Sequence, residues 1–517
     1  MVSSDKENNV NMYESDPEGS RYVHVDYVAS KVSFLYEKIR QVIDYHEEHL
    51  LRENAIERSI RRHLLLTQTP APFARDLIEE MIRGGYFAND TILNTSIVKV
   101  QKILDRYTET LRIAVAKKLR DKNLANFLYG IASCEIEEFL DYPSKELLLL
   151  EFEYATLKNH LRIFGAEIGE DDKEMLLFIA INQTLLRADQ RRIYFRLMQK
   201  MHPEWFEKEA SEAAEFLPII SRAKMRFESL FHNSALKRIK NRAGQFAIIF
   251  QTLSDISGDD PQRLAGFAED PQELSKAVGK SYTRRFNNLR TKLKRAGFRS
   301  VLSIFFGKIL IALAIEVPAE LLFAGQIIPY ALMLSIIFPP SIMLFAVLSI
   351  RMPSRDNLQK LIGQVSSIMQ GAFEYEPIEI TNRKRSSFIS FILTILYILT
   401  FAISFGGVIA GLNMLHFNVL SIIVFWLFLS LIIFSAMRIK QWARELNVGP
   451  QKEGFGGFFL DIFTIPIVGF GKFLSGELSR FNILVLLFNL FFEAPFQSFV
   501  QFIEEWRRFI REKKEEL

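Results

Sequence analysis

Two patterns of apolar residues divide this chain. Up to Arg299, apolar positions recur at helical spacing among charged ones, and from Val301 they run together in stretches that nearly exclude charge. Between Tyr27 and Leu66 the apolar residues Val28, Val32, Leu35, Ile39, Val42, Ile56 and Ile60 alternate in steps of four and three, a heptad seam that predicts a long helix packed against another. The middle of the seam is polar, with His46, His49 and Glu53 on one face. Amphipathic helices are expected next over residues 96–118 and 123–140, after a short one ended by Gly84-Gly85. Pro143-Ser144 starts a helix expected to carry 147–150 and 152–164. A polar loop at 165–172 precedes helical stretches at 173–202, 203–217 and 222–256, the last closed by Ser257-Gly258. The only extended stretch expected lies at 373–380. The pattern predicts an all-α fold: an N-terminal soluble helical bundle or array followed by a polytopic α-helical membrane domain.

Four later stretches are long and apolar enough to cross a bilayer, which needs about 20 such residues. They are 301–317, a span within 321–350, 388–412 and 419–437. The second contains Pro329 and the pair Pro339-Pro340, which either kinks one tilted helix or ends a helix begun near Ala319. Residues 455–509 interleave phenylalanines with Asp461, Lys472, Glu477, Arg480 and Glu493, so interfacial or re-entrant helices are expected there in preference to clean spans.

Charge then orients the spans, because short cytoplasmic loops collect Lys and Arg. Arg284, Arg285, Arg290, Lys292, Lys294, Arg295 and Arg299 precede the first span; Arg351, Arg355, Lys360, Arg383, Lys384 and Arg385 separate the second from the third; Arg438, Lys440 and Arg444 follow the fourth. The turns at 316–320 and 413–418 hold no Lys or Arg. A multi-pass protein of the cell membrane with both termini cytoplasmic follows as the expectation. Its segments are a disordered acidic tail (1–20), a cytoplasmic helical region (21–280), a basic juxtamembrane helix (281–300), spans 1 and 2 (301–350), a cytoplasmic loop (351–387), spans 3 and 4 (388–437), the Phe-rich helices (455–509) and a charged tail (510–517). Whole-chain values describe neither half: the net charge is +4 and the mean hydropathy +0.09.

Candidate chemistry is sparse. The single cysteine, Cys134, sits beside Glu135 and Glu137 without a cation in its turn, so an inert, packed thiol is expected. His46, His49 and Glu53 could converge on a metal, although no HExxH motif is present and a polar interruption of the seam is the simpler reading. Gly279-Lys280-Ser281 copies the end of a phosphate loop, but Leu274 stands where its first glycine belongs. Asp171-Asp172 and Asp259-Asp260 read as turn and capping residues. The basic run 284–299 is expected to meet anionic lipid headgroups and not nucleic acid. In the apolar half, Lys308, Glu316, Asp461 and Glu493 are the candidates for a polar path, with Lys308 facing Glu493 or Asp461; placement at the two interfaces is the simpler alternative. Gly407 and Gly411 form a small-xxx-small pair suited to close helix packing.

With no catalytic constellation and no cofactor signature, the sequence favours a non-enzymatic, membrane-anchored interaction or assembly platform that engages a protein partner or a second copy of itself. A small-solute or ion transporter or channel subunit is the alternative, and a membrane enzyme acting on a lipid-linked substrate the third reading.

Overall fold

The computed structural model describes residues 21–25, 48–66, 72–117, 122–159, 161–164, 168–258, 264, 266–267, 270–323, 329–350, 352–353, 355–371, 378–381, 387–415, 417–449 and 467–471. They are overwhelmingly helical, and contacts divide them into two compact units, 21–147 with 186–233, and 148–185 with 234–482.

In the first unit, α1 (Glu48–Leu66), α2 (Ala74–Arg83), α3 (Asn94–Ala116) and α4 (Lys122–Leu140) are followed by α7 (Gln190–Met201), α8 (Glu204–Glu207) and α9 (Ala213–His232). Helix α2 buries Leu77, Ile78, Met81 and Ile82 on one face and ends where Gly85 takes a φ of 73°, open to glycine at no steric cost. Asp189 caps α7 by accepting a bond from the Arg192 amide at 2.9 Å. Helix α4 packs against α1, α3 and α7, around a core that includes Trp205, Phe195 and Phe227.

The second unit takes most of α5 (Ser144–Lys158), then β1 (Leu161–Phe164), α6 (Glu170–Thr184), α10 (Ser234–Ala243), α11 (Ala247–Ser257), α12 (Pro271–Ile311), a π turn (Ala312–Glu316), α13 (Val317–Phe323), α14 (Pro329–Leu348), α15 (Arg355–Met369), β2 (Ile378–Thr381), α16 (Ser387–Met414) and α17 (Val419–Arg444). Asp270 caps α12 by accepting from the amides of Gln272 and Glu273 at 2.9 and 3.1 Å, and Pro271 occupies the first turn, where its missing donor costs nothing. Four helical stretches are long and apolar enough to cross a membrane: 271–322, 329–348, 388–414 and 419–444. Helices α12, α14 and α17 pack together over Leu293, Met343, Ile432, Ile439 and Ala443. Gly297 makes the α12–α14 approach possible, since a Cβ there would run into Val347 Cγ1. On the polar side, Asn357 of α15 donates to Tyr282 and to the Leu446 carbonyl and accepts from the Val448 amide, which ties α12 and the end of α17 to α15.

Several sequence expectations require correction. The helix drawn through 152–164 stops at Lys158, because Leu161–Phe164 finds a parallel strand partner in Ile378–Thr381; β-prone residues with a partner override helical spacing. The second strand overlaps the extended stretch expected at 373–380. The helix over 173–202 breaks before Asp189, where Arg187 adopts a φ of 53°, and that over 222–256 breaks at Asn233, whose ψ of 128° is extended. Pro339-Pro340 does not end a helix: α14 runs through both. Of the heptad seam, only 48–66 falls among the described residues. The tail 1–20, residues 509–517 and nearly all of 455–509 lie outside them.

Candidate functional site

The most unusual side chains in the apolar half are Lys308 and Glu316, both fully buried. They form an ion pair at the point where α12 passes into the π turn. Eight residues of uninterrupted α-helix turn twice and overshoot by about 80°, which would point the two side chains apart. A π turn bonds i to i+5 and winds less per residue, so residues 312–316 bring Glu316 back into line with Lys308. Ser335 of α14 donates to the second oxygen of Glu316 at 3.2 Å, and the Phe428 ring of α17 lies 5.5 Å from the Lys308 Nζ. One turn beyond, Glu320 is 5% exposed and its Oε2 has no hydrogen-bond partner among the described residues. Beneath the pair, α14 turns Ala331, Ser335, Pro339, Pro340 and Met343 inward. The two prolines lack the amides that would bond the carbonyls of Ser335 and Ile336 in a regular helix.

Among the described residues, the partner of Lys308 is Glu316. Asp461 and Glu493 lie outside the described residues. Gly407 and Gly411 of α16 have no atom within 4 Å of where a Cβ would stand, so neither forms a tight contact among the described residues. In the basic stretch, Arg285 is held by Asp255 at 2.6 Å, with Arg284 3.3 Å from the same carboxylate. Arg290, Lys292, Lys294, Arg295 and Arg299 are exposed without an acidic partner among the described residues, and Lys292 lies 5.0 Å from the centre of the Trp442 ring. Ser281, the last residue of the phosphate-loop look-alike, sits within α12 and donates to Asp255 at 2.5 Å.

The first unit holds a second concentration of charge. Glu135, Glu137 and Glu138 of α4 face Arg106 of α3 and Arg192 and Arg196 of α7, and Glu53 of α1 closes the row. None of these side chains is more than 11% exposed. Arg192 reaches both Glu53 and Glu137 at 2.5 Å, and Arg196 donates to Glu138 at 2.8 Å. Arg106 bonds Glu135 and the carbonyls of Phe206 and Lys208, while Tyr107 donates to Glu135 at 2.7 Å. Burial raises the Glu53 carboxyl to about 7 against the opposing attraction of Arg192. Among the described residues Glu53 pairs with Arg192; His46 and the side chain of His49, the other candidates for a metal, lie outside them. Cys134 is wholly buried, and burial followed by the Glu53 charge pushes its thiol upward, away from reactivity.

A cleft of about 590 Å³ opens above this row between α3, α4, α7 and the segment after α8. Lys99, Lys102, Phe139, Tyr142, Glu207 and Glu209 stand around it. Tyr142 is 67% exposed, and the Lys102 and Glu209 side chains are 71% and 74% exposed at a separation of 3.9 Å. Sequence reading missed both row and cleft, because acidic residues at helical spacing resemble a solvated face. The available signal was the clustering of Glu135, Glu137 and Glu138 on one helix and of Arg191, Arg192 and Arg196 on another.

No family model matches the chain, and no match was found among curated proteins or solved structures.

Proposed function

We propose that this is a multi-pass protein of the cell membrane whose region 21–280 lies in the cytoplasm, with both termini, as a non-enzymatic docking platform. The observation that carries the reading is the cleft of the first unit. It is open, it mixes both charge signs with aromatic rings, and its floor is a row of carboxylates and arginines held together by ion pairs. Such a surface suits a peptide segment of a protein partner that carries charged and aromatic side chains. Anionic lipid headgroups are the second partner, met by the five exposed cations between Arg290 and Arg299, each contributing about 1 kcal/mol near a charged surface.

Photo-crosslinking in cells tests the platform. A crosslinking amino acid at Tyr142 of the full chain should give a discrete protein adduct that disappears when Lys99 and Lys102 are changed to Glu. The same probe at Met225, 61% exposed on α9, should give none. Absence of an adduct at Tyr142, or an identical adduct at Met225, would overturn the reading.

A further inference from the structure

We infer that the Lys308–Glu316 pair is a proton-exchange site, and that α12, α14 and α17 form a proton path and not merely an anchor. This goes beyond the docking role and is independent of it.

An isolated charge at bilayer depth costs at least a few kcal/mol, so a lysine and a glutamate kept there need a partner and a use. The pair supplies the partner. Its use is indicated by three further features that meet at it. The π turn is a local departure from α-helix whose effect is to align these two side chains. Glu320 brings a second carboxylate one turn away on the same helix, nine-tenths buried and with an unpartnered oxygen. The inward face of α14 loses two backbone hydrogen bonds at Pro339-Pro340, one turn after Ser335, which makes that helix deformable where it touches Glu316.

The chemistry selects the proton over an alkali cation. Among the described residues, the Glu316 carboxylate accepts from the Lys308 ammonium on one oxygen and from the Ser335 hydroxyl on the other, an acid–base couple suited to proton exchange between carboxylate and amine. Among the described residues, no other titratable group faces the pair. The elements packed on it contribute only Tyr330 at the far end of α14, where it donates to the Leu415 carbonyl, and nothing titratable between Val419 and Met437 of α17.

The cycle balances. A proton entering at Glu320, on the side of the bilayer opposite the basic stretch of α12, passes to the Glu316 carboxylate. Neutralised Glu316 releases Lys308, whose ammonium, unpaired in a medium of low dielectric, gives its own proton to water admitted from the basic side. Glu316 then passes its proton to the neutral amine, which restores ammonium and carboxylate. One proton enters, one leaves, and the pair returns to its starting charge. In the closed arrangement Val301, Ile304, Met343 and Ile432 seal the inward leg. Passage therefore requires the deformation that Pro339-Pro340 permits.

The test uses the full chain reconstituted into phosphatidylcholine–phosphatidylglycerol vesicles with an entrapped pH-sensitive dye, the membrane potential clamped by a potassium ionophore, and an acid step applied outside. Wild-type vesicles should acidify at least tenfold faster than protein-free ones. Glu316→Gln and Lys308→Met should return the rate to the protein-free level, and Glu320→Gln, which breaks no bond among the described residues, should slow it severalfold. Wild-type vesicles as tight as protein-free ones, or Glu316→Gln as fast as wild type, would overturn the inference. If Glu316→Gln fails to fold, an unchanged rate in Glu320→Gln overturns it instead.

Discussion

Glu153 is wholly buried on α5, and neither carboxyl oxygen has a hydrogen-bond partner among the described residues. Burial alone holds its carboxyl well above the ordinary value of 4.5. The folded chain therefore keeps this proton at a pH where the unfolded chain has lost it, so the group favours folding in acid and opposes it increasingly as pH rises above about 4.5. Glu53 acts in the same sense between 4.5 and about 7, a window corresponding to about 3 kcal/mol. Thermal unfolding should accordingly show higher stability at pH 5 than at pH 8. Glu153→Gln should raise the melting temperature at pH 8 by several degrees and leave it nearly unchanged at pH 4. An equal gain at both values would show that ionisation of Glu153 is not what limits stability. None of this was legible in the sequence, where Glu153 is one acid among several on an ordinary helical surface; what distinguishes it is burial, a property of packing.

At the scale of elements, helix interiors were more legible than breaks. The apolar spacing of α3 and α4 located both to within two residues. The ends of α5 and α9 were missed, since β1 depends on a strand more than 200 positions away and Asn233 stops a pattern that is otherwise periodic. The Lys308–Glu316 pair falls between these cases. Both residues stood out as charges in an apolar run, yet a spacing of eight is not a contact distance on an α-helix, and the π turn that makes it one leaves no mark in composition. Close packing of α12 and α14 offers a test at this scale. Gly297→Ala should cost about 1–3 kcal/mol by overpacking. Val347→Ala in the same chain should recover most of the loss, because the added methyl meets the Val347 side chain. A double variant as unstable as the sum of the single ones would place the strain elsewhere.

For the whole molecule, the alternation of basic and neutral connections is the strongest guide to orientation, and it predicts which parts share a compartment. An epitope inserted after Asn413, in the last turn of α16, should be labelled from outside intact cells, whereas one at either terminus should require permeabilisation. Labelling of the Asn413 site only after permeabilisation would reverse the proposed topology and, with it, the proposed cytoplasmic placement of the cleft. The four helices long and apolar enough to cross a membrane were plain from sequence because hydropathy there is a bulk property of long stretches. The division into two units was not, as residues 148–185 leave the surrounding polar sequence to join the unit that holds the apolar helices.

Helix α12 begins at the Asp270 cap, is gripped by Asp255 through Ser281 and Arg285, and continues without a loop to Lys308 and through the π turn to Phe323. Its 41 residues measure about 60 Å end to end. A rod of that length is a drive shaft: twisting it by a few degrees at the Asp255 grip would turn Lys308 by a similar angle. The buried pair is thus geared to the polar end of its own unit, and a ligand that rotates that end would set the timing of whatever happens at Glu316.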